Sequence, residues 1–494
     1  MNPITKYTSA TLLTLGLLTG CGKDFLYERP NDQVTDANFY RTANDAIQAT
    51  NAIYGELITA GQYNAALWGL GDIGSDISTT GGGGGGDGIE YQQLDFYNIP
   101  TTNPVANRLW GSCYVGIGRA NIVLQKVPAM SIDAAIQKRC IGEAQFLRAK
   151  YYFDLVRAYG DVPLLTTPPA TLNDVNIPRT PVAQVYAQIE KDLTDAIGNL
   201  PTSYSGDDIG RATKWAATGL LAKVYLTENK LADAATRARE VISGSGKAMW
   251  DNYADNFKVA NENGKESLFE AQFISGRNQW TQDGPGFSGN EFFGPRGQGA
   301  VPQGGYGFNI PEADFVAGYE AGDLRRDATI WKPGDVYPDG RVQPNSLPGS
   351  PNGYGCKKWF VGKTNTNIWD SELNIPVMRL AEVYLILAEA AGPSTEGFEA
   401  LNKVRRRAFG LPINTASARD LSGLSGDAYK QAIWRERKYE LAFEMDRWFD
   451  MKRTGELLTS PQLKAKGIKT FNVVLPIPQS ELDVNPGLRQ NPGY

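Results

Sequence analysis

Two glutamates one helical turn apart, Glu440 and Glu444, are the first residues in this chain that could do chemistry. A pair of carboxylates can divide acid and base work on a glycosidic bond. Arg437 and Arg447 each stand three residues from one of them, at the spacing of ion pairs along a helix. The plainer reading of all four is therefore structural, and Arg379, Glu382 and Arg405 are read in the same way. Little other catalytic chemistry is open. The 494 residues contain no histidine, which excludes Ser-His-Asp triads, Cys-His pairs and histidine-ligated metals within this chain. Cys113, Cys140 and Cys356 form no CxxC pair of the kind that holds zinc. Their odd number permits one disulfide, and buried free thiols are the expectation. No cofactor is implied, although the Asp-rich loops would permit calcium.

Binding has better material than catalysis. A sugar offers a C–H face to a flat apolar ring, and its hydroxyls take amides, carboxylates and guanidinium groups. Two stretches supply both. One runs from Trp68 to Tyr97, with Asp72, Asp76, Asp87, Tyr91 and Phe96 around the glycine run 81–88. The other, Ile274–Phe308, holds ten glycines and six aromatic residues. A loop of that length is usually functional or disordered, and disordered segments are poor in aromatics. The candidate ligand contacts are Trp68, Asp76, Tyr91, Trp280, Arg296 and Tyr306. Against each aromatic stands the plain reading of packing on a helical layer, and against Arg296 that of a solvated charge.

The N-terminus carries a different signal. Ala10 to Leu18 is apolar but too short to span a bilayer. With Lys6 before it, the run fits a secretory signal. Leu18-Thr19-Gly20-Cys21 resembles a bacterial lipobox, in which the cysteine is acylated and becomes the first mature residue. Several acyl chains hold a protein to a membrane far better than one. A net charge of −5 with no basic stripe argues against nucleic acid.

The elements that must position these residues are mostly helices. Apolar spacing of three and four predicts them over Asp45–Ile58, Val105–Val127, Asp133–Tyr159, Pro181–Leu200, Thr213–Thr227, Leu231–Ser243, Pro376–Ala391, Gly397–Phe409 and Ala428–Thr454. Extended segments are rare, the best being Glu266–Ile274 and Val473–Pro478. "AKYYF" at Ala149–Phe153 is echoed by "AKVYL" at Ala222–Leu226. Ala222, Tyr225 and Ala234 have the spacing of tetratricopeptide (TPR) positions, and Ala388 and Ala400 repeat the offset between the two alanines. Small residues there let paired helices approach closely.

"EAQFLRAKYYFDLVRAYGDVPL", Glu143–Leu164, resembles the central signature of the SusD/RagB family of outer-membrane lipoproteins of Bacteroidetes. "LWGSCYVGIGRANIVL", "GRATKWAATGLLAKVYL", "NIPVMRLAEVYLILAEA", "ALNKVRRRAFGLP" and "RERKYELAFEMDRWFDMKRTG" are similar to its successive helical segments. The tail "LPIPQSELDVNPGLRQNPGY" and the "CGKDFL" at Cys21 match as well, so the likeness runs from Cys21 to Tyr494.

The resemblance implies a mainly α fold: TPR-like helical hairpins form a scaffold, and an irregular, loop-rich remainder carries the ligand site. Residues 1–20 would be the signal peptide and 21–494 one unit. Its TPR-like helices would lie within about 40–245 and 376–454, and its ligand-binding loops at about 66–100 and 264–370. It also implies a non-enzymatic protein on the outer face of the outer membrane, anchored by lipid on Cys21. Such a protein binds an oligosaccharide and delivers it to a SusC-like TonB-dependent barrel. In the family the ligand contacts come from these same loop regions, which are its least uniform parts, so no residue role carries over. Capture of peptides on the same architecture is the alternative, and a carboxylate-dependent glycoside hydrolase is a third reading.

Overall fold

The computed structural model describes residues 39–171, 174–277, 281–363 and 369–494. Its ten longest helices are α1 (Ala43–Tyr54), α2 (Pro104–Lys126), α3 (Ala134–Tyr159), α4 (Val182–Asn199), α5 (Lys214–Thr227), α6 (Leu231–Gly244), α7 (Leu380–Ala391), α8 (Thr395–Ala408), α9 (Gly426–Glu440) and α10 (Arg447–Thr454). Six strands of two to five residues pair antiparallel in twos. They are β1 (Ser78–Gly81) with β3 (Phe308–Pro311), β2 (Ser267–Ala271) with β6 (Ile375–Arg379), and β4 (Ile330–Trp331) with β5 (Gly355–Cys356). The mainly helical expectation is borne out.

Helix starts follow local chemistry. Thr42 caps α1 in a reciprocal box with Asp45, and Asn103 and Asp133 accept the first free N–H groups of α2 and α3. From α2 to α8 each helix packs on the next in sequence, which makes a short solenoid of hairpins. The alanines of the predicted repeat sit where helices meet: Ala222, Ala234 and Ala388 have no exposed surface. Tyr429 on α9 donates its hydroxyl to the carbonyl of Ala388 and fixes α9 against α7. Cys113, Cys140 and Cys356 are free and buried, as expected.

Two predicted helices are shortened by tertiary partners. The segment before α7 is strand β6, because Ile375–Arg379 finds β2 beside it, with Ala271 opposite Ile375 and Ser267 opposite Arg379. The long late helix divides into α9 and α10 at 441–446, where Phe443 and Met445 adopt positive φ. The backbone groups freed there are taken up from outside: Trp359 donates to the carbonyl of Phe443, Lys358 to that of Ala442, and Asp72 accepts the N–H of Met445.

Beneath this break lies a cluster of buried charges. Arg379 binds Glu266, Glu440 and Glu444, Arg407 binds Glu266 and Glu440, and Arg325 binds Asp323, Glu436 and Glu440. These contacts join β6, α8 and α9 to the loop-rich half of the molecule.

Candidate functional site

The two glycine- and aromatic-rich stretches meet. β1 and β3 pair with Ser78 opposite Pro311 and Gly81 opposite Phe308, and Gly82 donates its N–H to Gly307 at 2.7 Å. The glycine run is a folded turn. Gly83 donates to the Asp87 carboxylate at 2.6 Å, and the Gln92 amide closes the turn onto the carbonyls of Gly84 and Asp87. Its composition has a steric cause. A Cβ on Gly81 would stand 2.3 Å from the Gly307 carbonyl, and one on Gly83 would stand 2.7 Å from the Arg296 guanidinium.

The second stretch is held from below by Asn64. Its amide donates to the carbonyls of Gln282 and Gly286, and its side-chain oxygen accepts the N–H of Ser288. Further along, the buried carboxylate of Glu291 accepts the N–H groups of Gln303 and Gly305, which folds the chain back so that Tyr306 and Arg296 come together. Burial pushes this carboxyl above its usual range, against the backbone donors that lower it.

On this base Arg296 donates to the Tyr306 carbonyl at 2.7 Å and pairs with Asp87 at 3.0 Å, so one ion pair bridges the two stretches. Both side chains keep about a third of their surface exposed, at 31% and 40%. The Tyr306 ring stands edge-on to Phe292 at 5.2 Å, and Trp369 lies 6.2 Å from Phe292. All three rings are half-buried. A row of partly open aromatic faces beside a carboxylate and a guanidinium can stack on a sugar ring and bind its hydroxyls.

The structure sorts the sequence candidates. Arg296 and Tyr306 sit at the surface in contact with each other. Trp68, Asp76 and Tyr91 do not reach it, which corrects their placement as direct ligand contacts. Trp68 has no exposed surface: it stacks on Tyr91 at 4.3 Å, meets Phe293 edge-on, and spends its indole N–H on the Asn64 carbonyl. Tyr91 is equally buried and leans on Phe308. These two rings are the floor under Phe292 and Phe308. Asp76 is locked by Arg447 at 2.8 Å and Lys438 at 2.7 Å. Burial alone would raise its carboxyl, but the two cations hold it well below the usual carboxylate range. Trp280 and Cys21 lie outside the described residues. Phe292, Trp369, Asp87 and Asn64 join the site from outside the candidate set. Phe292 and Asp87 stood in stretches already singled out, and Trp369 falls within the loop region 264–370 that the resemblance implied, whereas Asn64 lies just ahead of the region 66–100 and was not marked.

The carboxylate pair weighed for catalysis is held in ion pairs, with Glu440 buried and Glu444 half-buried. Glu440 has no exposed surface, and although burial pushes its carboxyl up, Arg407, Arg379 and Arg325 hold it at about 2. Glu444 is gripped by Arg379 and Lys358, each at 2.8 Å. A group held ionised and out of solvent cannot donate a proton to a glycosidic oxygen. Among the described residues, no group of three or more acidic or cysteine side chains is placed to hold a metal ion, and no helix is long and apolar enough to cross a membrane.

Comparison with known proteins gives consistent matches. A family model described as the SusD family matches residues 265–494, and one described as starch-binding associating with outer membrane matches residues 88–226. A SusD-like protein of Formosa agariphila is 30% identical, over 96% of this chain and 96% of that relative. A SusD-like protein of Bacteroides ovatus is 30% identical, over 88% of this chain and 80% of that relative. Among solved structures, a laminarin-binding SusD-like protein is 32% identical and superposes with a TM-score of 0.80, covering 92% of this chain and 100% of that one. A SusD homologue of Bacteroides thetaiotaomicron is 26% identical with a TM-score of 0.80, covering 93% and 99%.

Proposed function

The chain belongs to the SusD family, and from that premise we propose that it is a lipid-anchored, outward-facing protein of the outer membrane. It captures oligosaccharides without cleaving them and delivers them to a SusC-like TonB-dependent barrel. The observation that carries this reading is the junction of Tyr306, Phe292 and Trp369 with the Arg296–Asp87 pair on a rigid helical scaffold. Rings supply affinity by stacking, and the ion pair supplies acceptors and donors for hydroxyls. The burial of Glu440 and the ion pairs that hold Glu444 support binding over hydrolysis. The family model's association with the outer membrane supports the location, with Cys21 as the acylated residue.

The laminarin-binding relative makes laminarin oligosaccharides the first ligands to try. The experiment is calorimetric titration of the purified protein with a panel of oligosaccharides and peptides, alongside an assay for new reducing ends. Saturable glycan binding with no release of reducing ends is the expected result. Release would establish a hydrolase, and binding to peptides alone would favour the peptide-capture alternative. Cys21→Ser should move the protein from the membrane fraction to the soluble one and abolish its purification with the barrel. Retention in the membrane would sink the lipid anchor.

A further inference from the structure

A cavity of about 350 Å³ opens between the end of α3, the start of α4, the end of α5 and α10, far in sequence from the sugar-facing loops. Val156, Val182, Tyr186, Phe449 and Val474 give it largely apolar walls. Three cations also line it, Arg157, Lys452 and Arg453. Two have their counter-charges. Arg157 lies between the rings of Phe153 and Phe449, 4.0 Å from each, and pairs with Asp154 and Asp446. Arg453 is bound by Glu389 and Asp450.

Lys452 differs. Its ammonium donates to the backbone carbonyl of Arg157 at 2.6 Å, in the last turn of α3, and lies 5.6 Å from the Trp448 ring. Among the described residues, no carboxylate stands within ion-pair distance of it. The ionisable groups that line the cavity with it are Arg157 from α3, Tyr186 from α4 and Arg453 from its own helix, and the nearest acids, Asp154, Asp446 and Asp450, are taken by those two arginines. Burial first and Arg157 second pull its amine down to about 7. A cation without a counter-ion in an apolar cavity is costly, and an anion placed beside it would restore its charge.

We propose that this cavity binds a small organic carboxylate with a hydrocarbon body, its anion paired with Lys452 and its body against Val156, Val182 and Phe449. The site is separate from the glycan surface, and its occupancy does not depend on the reading given above. Lys452 also caps the C-terminal end of α3, which a purely structural role would explain. The test must therefore read more than stability.

Titration calorimetry of the whole protein with benzoate and with benzyl alcohol at pH 8 makes the distinction. Benzoate should bind at least about tenfold more tightly than the alcohol of the same shape. Repeating the titration in buffers of different ionisation enthalpy should show uptake of close to one proton, because the amine is mostly neutral before binding and charged after it. Lys452→Met should abolish the preference for the anion, with folding checked by its melting curve. Equal affinity for the two probes, saturable binding of neither, benzoate binding without proton uptake, or a preference that survives Lys452→Met would each overturn the proposal.

Discussion

Asp72 accepts the backbone N–H of Met445 at 3.0 Å. Its other oxygen accepts the amide of Asn309 at 3.0 Å, so one buried carboxyl ties the break between α9 and α10 to strand β3 of the candidate site. Burial is the dominant influence, and it raises this carboxyl from 3.8 to about 7 despite those two donors. The sign of the consequence is fixed. Between 3.8 and about 7 the folded protein keeps a proton that the unfolded chain has released. This group's contribution to stability is therefore full below that window, falls as pH rises through it and is level above it. Asp72→Asn cannot titrate. In urea melts from pH 5 to 8, the advantage of the parent protein over this variant should shrink as pH rises. A residual loss of ~1–3 kcal/mol should persist, because the amide faces two donors with one acceptor. Parallel stability curves for the two proteins would contradict the burial argument.

Trp68 and Tyr306 belong to the same aromatic cluster but should fail differently. Trp68 is enclosed by Tyr91 and Phe293, so Trp68→Ala opens a cavity and should cost ~3–5 kcal/mol of stability. Tyr306 is only half-buried, and Tyr306→Ala should weaken oligosaccharide binding by ~1–2 kcal/mol with little change in melting temperature. Paired thermal melts and titrations decide the matter. A large drop in melting temperature for Tyr306→Ala would place that ring in the core.

Gly83 tests the ion pair without deleting it. Its Cβ would meet the Arg296 guanidinium at 2.7 Å and the Asp87 carboxylate at 2.9 Å, while the turn that carries it stays at the surface. Gly83→Ala should push Arg296 aside and weaken glycan binding severalfold, with a melting temperature close to that of the parent. Unchanged affinity would mean that the orientation of Arg296 is irrelevant to the ligand.

The helices were largely legible in the sequence because most of them carry an apolar stripe and several carry a capping side chain. Thr42, Asn103 and Asp133 cap three of the starts, within three residues of where the apolar spacing placed them. The division of the last long helix was not legible. Phe443 and Met445 take positive φ because Lys358, Trp359 and Asp72 compete for the local backbone groups, and those residues come from distant parts of the chain. The candidate site shows the same boundary. Composition located the two stretches, since glycine and aromatics seldom concentrate without cause. It could not say which rings face outward. Trp68 is buried under Tyr91, Phe292 and Phe293, and Trp369 is brought to Phe292 from the far end of the 264–370 region, where no single residue was marked.

Arg379 offers the sharpest test of whether the late-helix carboxylates are structural. Its guanidinium binds Glu266, Glu440 and Glu444 together, and it has almost no exposed surface. Arg379→Met keeps the volume and removes the charge, leaving three carboxylates short of a partner in a dry interior. Breaking one side of such a cluster typically costs ~3–5 kcal/mol. Glu440→Gln is milder in shape, but it takes charge from Arg407 and Arg325 as well and should destabilise in the same direction. Chemical denaturation of both variants, with glycan titration under conditions where each stays folded, separates structure from chemistry. The expected pattern is lower stability with unchanged affinity, since neither residue approaches Tyr306 or Arg296. A variant of full stability that lost the ability to process or bind glycan would return Glu440 to the reacting centre.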